Sequence, residues 1–158
     1  MGRYFLDSSA LIKRYLNDEP GHAWVAVLCA PQAGNDILIA DATIAEVVAA
    51  FCRMARMTPR RLRISQRDRL IVVFRQRDLP RGYVVQSVDR SIDERAGDLC
   101  VKHPLRAYDA IQLACALTAS DDALRAQIVP PTFVCSDSDL LAAAAAEGVR
   151  TDNPANHP

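Results

Sequence analysis

The segment LRAYDAIQLACAL, residues 105–117, places one acidic residue inside an otherwise apolar helical pattern. Its apolar side chains lie nearly all the way round a helical wheel, which predicts a helix packed inside a domain. Asp109 stands in the middle of this pattern. Because burying an unpaired carboxylate costs several kcal/mol, Asp109 requires a cation, a set of hydrogen-bond donors or access to water.

Short apolar segments alternate with helical patterns along the chain and predict strands at residues 4–6, 36–39, 83–85 and 132–135. This alternation indicates an α/β fold with a mainly parallel central sheet flanked by helices. The length of 158 residues, half of them hydrophobic, fits a single domain, which we assign to residues 1–150. The polar C-terminal residues 151–158 are predicted to form a disordered tail.

Four acidic residues stand at predicted helix starts: Asp7, Glu46, Asp109 and Asp137. Asp7 and Asp137 follow the first and last strands, and Glu46 is expected in the first turn of a helix from about Thr43 to Met57. In a parallel sheet, helix starts that follow strands share one edge, where ligands collect, so three of these acids should converge there and the fourth can join them if its helix packs against them. Carboxylates that gather there repel one another unless a hard divalent cation, Mg²⁺ or Mn²⁺, lies between them.

Each acid also has a purely structural interpretation. Asp7 and Asp137 are typical helix N-caps, and Thr43 with Glu46 fits a capping box. Asp109 has Arg106 three residues earlier on the same helical face, so these two residues are able to form an ion pair.

The ordered set YFLDSSALIKRY, IAEVVAAF, LRAYDAIQLACAL and FVCSDSDLLAAA, over about residues 3–147, resembles the PIN-domain ribonucleases. Within that family it is most similar to the VapC toxins of bacterial toxin–antitoxin pairs. The resemblance implies a PIN-like fold in which four acids are catalytic and bind Mg²⁺ or Mn²⁺ against the scissile phosphate: Asp7, Glu46, Asp109 and Asp137. It also implies that Ser8 or Ser136 orients a water molecule, while Asp139 and Asp41 are candidates for supporting roles.

Cations are concentrated between residues 53 and 81, where arginine occurs at positions 53, 56, 60, 61, 63, 67, 69, 75, 77 and 81. A helix is predicted from about Arg60 to Arg77, ended by Pro80. Arginine grips phosphate through paired hydrogen bonds, but a solvated helix face has the same pattern. Five residues are therefore candidates for binding RNA or a protein partner: Lys13, Arg60, Arg61, Arg63 and Arg106.

The function implied by the resemblance is a metal-dependent endoribonuclease, the toxin of a VapBC-type pair, with RNA as substrate, an antitoxin as partner and a homodimeric assembly. The alternative from another class is a non-catalytic PIN-like binding module. A haloacid dehalogenase-type phosphatase is disfavoured by Ser9, where a second aspartate is expected. A phospho-receiver domain is disfavoured because neither Lys13 nor Lys102 stands at the expected late position.

The composition bears on the cellular compartment and on metal type. The five cysteines form no CxxC pair, and no apolar run is long enough to span a membrane, so we expect a cytoplasmic protein without a membrane segment. The three histidines lack the spacing of zinc ligands. The sequence does not specify which RNA is cut.

Overall fold

A computed structural model describes residues 2–157, and in this range five strands form one sheet. The strands are β1 (Arg3–Leu6), β2 (Asp36–Ala40), β3 (Val84–Gln86), β4 (Thr132–Val134) and β5 (Thr151–Asp152). The helices are α1 (Ser8–Leu11), α2 (His22–Leu28), α3 (Asp41–Arg56), α4 (Ile64–Val72), α5 (Leu79–Gly82), α6 (Arg90–Lys102), α7 (Ala107–Arg125) and α8 (Ser138–Ala146). Short 3₁₀ turns occupy Ile12–Tyr15, Pro31–Ala33 and Pro154–Asn156.

The sheet has the order β3-β2-β1-β4-β5, and every neighbouring pair is parallel. β1 is central, with Phe5 in register with Leu38 of β2 and with Phe133 of β4. Each parallel crossover requires a connection long enough to contain a helix, as the alternating sequence pattern indicated. The predicted α/β fold with a parallel sheet flanked by helices is confirmed.

Alternate residues of the central strand enter two different cores. Phe5 packs with Leu113 of α7 on one face of the sheet, and Leu6 packs with Phe51 of α3 on the other face. Successive side chains of a strand point to opposite faces, so a strand covered on both faces is apolar throughout. Burial on both faces fixes the register of β1, and hence the position of the residue that follows it.

The arginine-rich helix differs from its prediction at both ends. It begins at Ile64 rather than Arg60, because the backbone N–H groups of Arg61 and Leu62 donate to the carbonyl of Met54 and hold this segment in a turn. The chain stays helical through a π-helical segment, Val73–Asp78, into α5. Pro80 does not end the helix, since it is the second residue of α5, which follows the π-helical segment without a break.

The expectation of a disordered tail after residue 150 is wrong. Thr151 and Asp152 form β5, the edge strand beside β4, and Pro154 is buried. The His157 ring stacks on Trp24 of α2 with centroids 4.0 Å apart. Polar composition alone suggested disorder, but backbone pairing with β4 and one aromatic contact order this segment.

No helix within residues 2–157 combines the length and apolarity needed to cross a membrane.

The folded tail is tested by two matched glycines. Gly21 and Gly34 both have positive φ, 78° and 63°, but a Cβ at Gly21 would collide with the carbonyl group of Pro154, whereas Gly34 faces open space. Gly34→Ala should therefore lower the free energy of unfolding by about 1 kcal/mol through backbone strain alone, and Gly21→Ala by about 2–3 kcal/mol. Urea denaturation measures both, and equal losses would show that the tail does not rest on Gly21.

Candidate active site

Asp7 lies at the carboxyl end of β1, where its backbone N–H donates to the carbonyl of Val134 (3.1 Å). Its carboxylate caps α1 by accepting from the N–H of Ala10 (2.8 Å). The Ser9 hydroxyl donates to both carboxylate oxygens (2.8 and 2.9 Å), and the Cys135 thiol donates to Oδ2 (3.2 Å). The residue is only 5% exposed, and burial raises the pKa of Asp7 to about 6 against these hydrogen bonds, which lower it.

Ser9 joins two strand ends that are distant in sequence. Its Oγ accepts from the backbone N–H of Ser136 (2.9 Å), which follows β4, while it donates to Asp7. The side-chain oxygen of Ser136 is enclosed and has no hydrogen-bond partner. Sequence reasoning named Ser8 and Ser136 but missed Ser9 and Cys135; the only signal was a hydroxyl two residues after a capping aspartate.

Glu46 is held by a residue that the sequence analysis did not consider. Gln112 of α7 is 2% exposed, and its amide donates to Glu46 Oε2 (2.7 Å) and to Thr43 Oγ1 (2.8 Å). The capping-box interpretation is wrong, because α3 begins at Asp41 and Thr43 bonds to Gln112 instead. Glu46 therefore lies in the second turn, not the first. Burial raises the pKa of Glu46, which the Gln112 hydrogen bond partly offsets.

Asp109 lies in the first turn of α7, three residues before Gln112, and is partly buried. Burial raises its pKa, and the negative charge of Asp137 raises it further. Arg106 lowers the pKa of Asp109 by its charge, but the two side chains form no ion pair within the described chain. The charge of Asp109 in turn raises the pKa of Glu46. The pKa of Asp109 is therefore affected by the charges of both Asp137 and Arg106, with burial as the largest cause of its rise.

Asp137 is exposed and is the N-cap of α8, where Oδ1 accepts from the N–H groups of Asp139 and Leu140 (2.9 and 3.2 Å). The prediction that Asp137 is a helix N-cap is correct. Both capping bonds go to Oδ1, so Oδ2 makes no capping bond. The Asp139 side chain is exposed. The Asp41 carboxylate accepts from the N–H of Val88 (3.2 Å) and ties α3 to the loop after β3.

The basic candidates are dispersed. Arg60, Arg63 and Arg106 are exposed, and Arg61 is paired with Asp18 and Glu19 (2.8 Å each). Lys13 is different, because it is buried and lines a pocket of about 400 Å³ beside the acids. Ser8, Ser9, Glu46, Arg53 and Ser136 also line this pocket. Two larger pockets lie elsewhere and contain none of the four acids.

Asp7 and Asp137 follow the neighbouring strands β1 and β4, and charge effects link Asp137 to Asp109 and Asp109 to Glu46, but the four acids are not drawn tightly together. Within residues 2–157, no three His, Cys, Asp or Glu side chains approach closely enough to hold a metal ion. The donor set nevertheless has the chemistry of a divalent-cation site, since it consists of hard carboxylate oxygens. Burial raises the pKa of Asp7, Glu46 and Asp109, and repulsion from a neighbouring acid raises it further for Glu46 and Asp109. The enclosed, unpartnered Ser136 hydroxyl adds an oxygen beside them.

The amino-acid sequence matches a known protein family. The model of the PIN domain family matches residues 4–146. The chain belongs to the PIN domain family. No curated protein sequence matches it significantly.

Solved structures share the fold of this PIN domain at low identity. FitAcB from Neisseria gonorrhoeae is 19% identical with a TM-score of 0.60, and the match covers 98% of this chain and 99% of that chain. VapC20 from Mycobacterium tuberculosis, described as a toxin that cleaves the sarcin–ricin loop, is 16% identical with a TM-score of 0.59, covering 89% and 94%. VapBC2 from Rickettsia felis, bound to a promoter DNA fragment, is 10% identical with a TM-score of 0.58, covering 96% and 98%.

The Gln112 contacts predict a stability effect. Gln112→Met keeps the volume but leaves the Thr43 hydroxyl and a Glu46 oxygen without a donor, so the free energy of unfolding should fall by about 1–3 kcal/mol. The added loss from Thr43→Val in that background should be smaller than in the wild type, because the two residues are coupled. Urea denaturation measures both, with the exposed Gln76→Met as control; additive losses would contradict the coupling.

The burial of Asp7 predicts a pH dependence. Its pKa of about 6 in the folded protein exceeds the ordinary value of 3.8, so the folded state binds the proton more tightly than the unfolded state. In EDTA, this contribution to stability is present at pH 4 and declines by about 2 kcal/mol by pH 7. Asp7→Asn keeps an acceptor for the cap and should lack that part of the decline. Parallel pH curves for the two proteins would refute the assignment.

Proposed function

We propose that this PIN domain is a metal-dependent endoribonuclease and the toxin of a toxin–antitoxin pair of the VapBC type. The observation that carries the proposal is that Asp7 and Asp137 follow the adjacent parallel strands β1 and β4, while the charge of Asp137 raises the pKa of Asp109 and the charge of Asp109 raises that of Glu46. Membership of the PIN family supports a nuclease. The RNA cleavage described for VapC20 supports RNA as the substrate class.

In this proposal the four carboxylates bind Mg²⁺ or Mn²⁺. When bound, such an ion lowers the pKa of a coordinated water and neutralises charge on the phosphoryl oxygens. The protein's own residues fix the donors: Ser9 and Cys135 orient Asp7, and Gln112 orients Glu46. Ser8 and Ser136 line the adjacent pocket, where a hydroxyl can orient the attacking water. Asp139, whose carboxylate is exposed two residues after Asp137, is a further supporting candidate.

The reaction is hydrolysis of a phosphodiester bond. Water attacks phosphorus in line with the leaving 3′ oxygen, a new P–O bond forms, and the P–O3′ bond breaks. The products are a 5′ phosphate and a 3′ hydroxyl, and the water's protons are divided between solvent and the leaving oxygen. Arg60, Arg63 and Arg106 are proposed to contact RNA phosphates or the antitoxin, because their side chains are exposed. We place the protein in the cytoplasm as a homodimer.

A non-catalytic PIN-like module is the second candidate. It is favoured by the absence, within residues 2–157, of any three acids close enough to hold an ion. In that case the repulsion among the carboxylates would serve no catalytic function. The two candidates differ in their response to a divalent cation.

Asp109→Asn distinguishes them. In EDTA this variant should be as stable as the wild type or more so, because it loses a repelled charge; Mn²⁺ should raise the melting temperature of the wild type only. Its cleavage of RNA should fall by at least about a hundredfold, since a cation that stabilises the transition state by several kcal/mol would be bound incompletely.

Thermal melts in EDTA and in excess Mn²⁺, together with cleavage of a mixed RNA pool, make this test. Asp98→Asn is the matched control, because Asp98 is exposed on α6. A wild type that neither responds to Mn²⁺ nor cleaves RNA would favour the non-catalytic module.

A further inference from the structure

Lys13 is a buried cation whose charge is poorly compensated. It lies in the 3₁₀ turn after α1, is 6% exposed, and its backbone carbonyl is fixed by a hydrogen bond from His22 Nδ1 (2.6 Å). Its ammonium group has three donors, but within residues 2–157 its one hydrogen-bond partner is Glu19 Oε2 at 3.4 Å. Charge-assisted bonds of this type are usually 2.7–2.9 Å long. A lysine this deeply buried is normally tightly paired.

Glu19 is bound more tightly elsewhere. Its other oxygen, Oε1, accepts from Arg61 at 2.8 Å, and the same Arg61 nitrogen contacts Asp18 at 2.8 Å. Glu19 is partly exposed to solvent, so it can lose the contact to Lys13 and remain solvated and paired with Arg61. The Lys13–Glu19 contact is therefore the weaker of the two and the easier one to break.

The weak Lys13–Glu19 contact lies in the pocket beside the acidic edge. Lys13 and Glu19 both line the pocket of about 400 Å³ that also contains Glu46 and the serines next to Asp7. Arg53 lines the pocket as well, and within the described chain it forms no ion pair. An anion that displaces the Glu19 carboxylate would meet two cations next to the acidic edge. Phosphodiester oxygens match carboxylate oxygens as acceptors for an ammonium group.

We propose that Lys13 binds a phosphodiester group of the substrate RNA, and that Glu19 occupies this place as an internal carboxylate substitute until RNA arrives. On binding, the phosphate replaces the 3.4 Å contact, and Glu19 is retained by Arg61. This inference rests on the proposed nuclease function and adds the residue that receives the substrate backbone. It also assigns Glu19 an inhibitory contribution to RNA affinity, since its carboxylate competes with the phosphate.

The test measures RNA binding in an Asp109→Asn background, which slows cleavage at least about a hundredfold. Binding is followed by fluorescence anisotropy of a labelled single-stranded RNA at several salt concentrations. Lys13→Met should raise Kd about tenfold and reduce the slope of log K against log salt by about 0.7, the value for one phosphate contact on a single strand. Glu19→Gln should lower Kd severalfold, because it frees Lys13 for the phosphate.

Asp18→Asn is the matched control, since Asp18 also pairs with Arg61 but does not contact Lys13. Removing its charge should tighten binding much less than Glu19→Gln does. The effect of Glu19→Gln should also vanish when Lys13→Met is present. Equal tightening by the two acid variants, or tightening that persists without Lys13, would overturn the proposal. The effect would then be nonspecific repulsion between the acidic side chains and the RNA.

Two further readouts separate failure of this inference from failure of the proposed function. If the parent protein cleaves RNA but Lys13→Met changes neither KM nor Kd, only the inference fails. If the parent protein neither binds nor cleaves RNA, the proposed function fails as well. Should Lys13→Met not fold, as judged by its melting curve, the comparison of Glu19→Gln with Asp18→Asn still decides the matter.

Discussion

Asp7 carries a carboxylate into the interior at the end of the central strand, where water has little access. Three neighbouring donors, the N–H of Ala10, the hydroxyl of Ser9 and the thiol of Cys135, hydrogen-bond to it without cancelling its charge. At the same edge, the charge of Asp109 raises the pKa of Glu46 and the charge of Asp137 raises that of Asp109, so these acids repel one another as well. Burial of these carboxylates therefore lowers the free energy of unfolding, and the two apolar cores on either face of the sheet offset this loss.

The positions of the acids along the fold could be predicted from the sequence because they follow from periodicity. A buried strand followed by a helix places the next residue at the carboxyl edge of a parallel sheet, and Asp7 and Asp137 meet this condition directly. Asp109 was conspicuous as a charge in an apolar helix. For these residues a local pattern was sufficient, because the long-range consequence is fixed by the parallel topology.

The contacts that orient the acids could not be predicted, since they join residues far apart in the chain. Gln112 meets Glu46 across 66 positions, and Ser136 meets Ser9 across 127. In sequence, Gln112 is one polar residue in a helix and Glu19 is one acid in a loop. The edge strand β5 was missed for a related reason: two residues carry no periodicity, and their order derives from the exposed edge of β4.

The strand order has a consequence for synthesis of the chain. β1 and β4 are adjacent in the sheet, and Cys135 contacts Asp7 across 128 positions, so the acidic edge is completed only by residues near the C-terminus. Because a ribosome delivers the chain from its N-terminus, a nascent chain that has not yet exposed β4 contains Asp7, Glu46 and Asp109 but lacks the strand that closes the edge. Such a partial chain lacks Asp137 and therefore cannot assemble the whole acidic set.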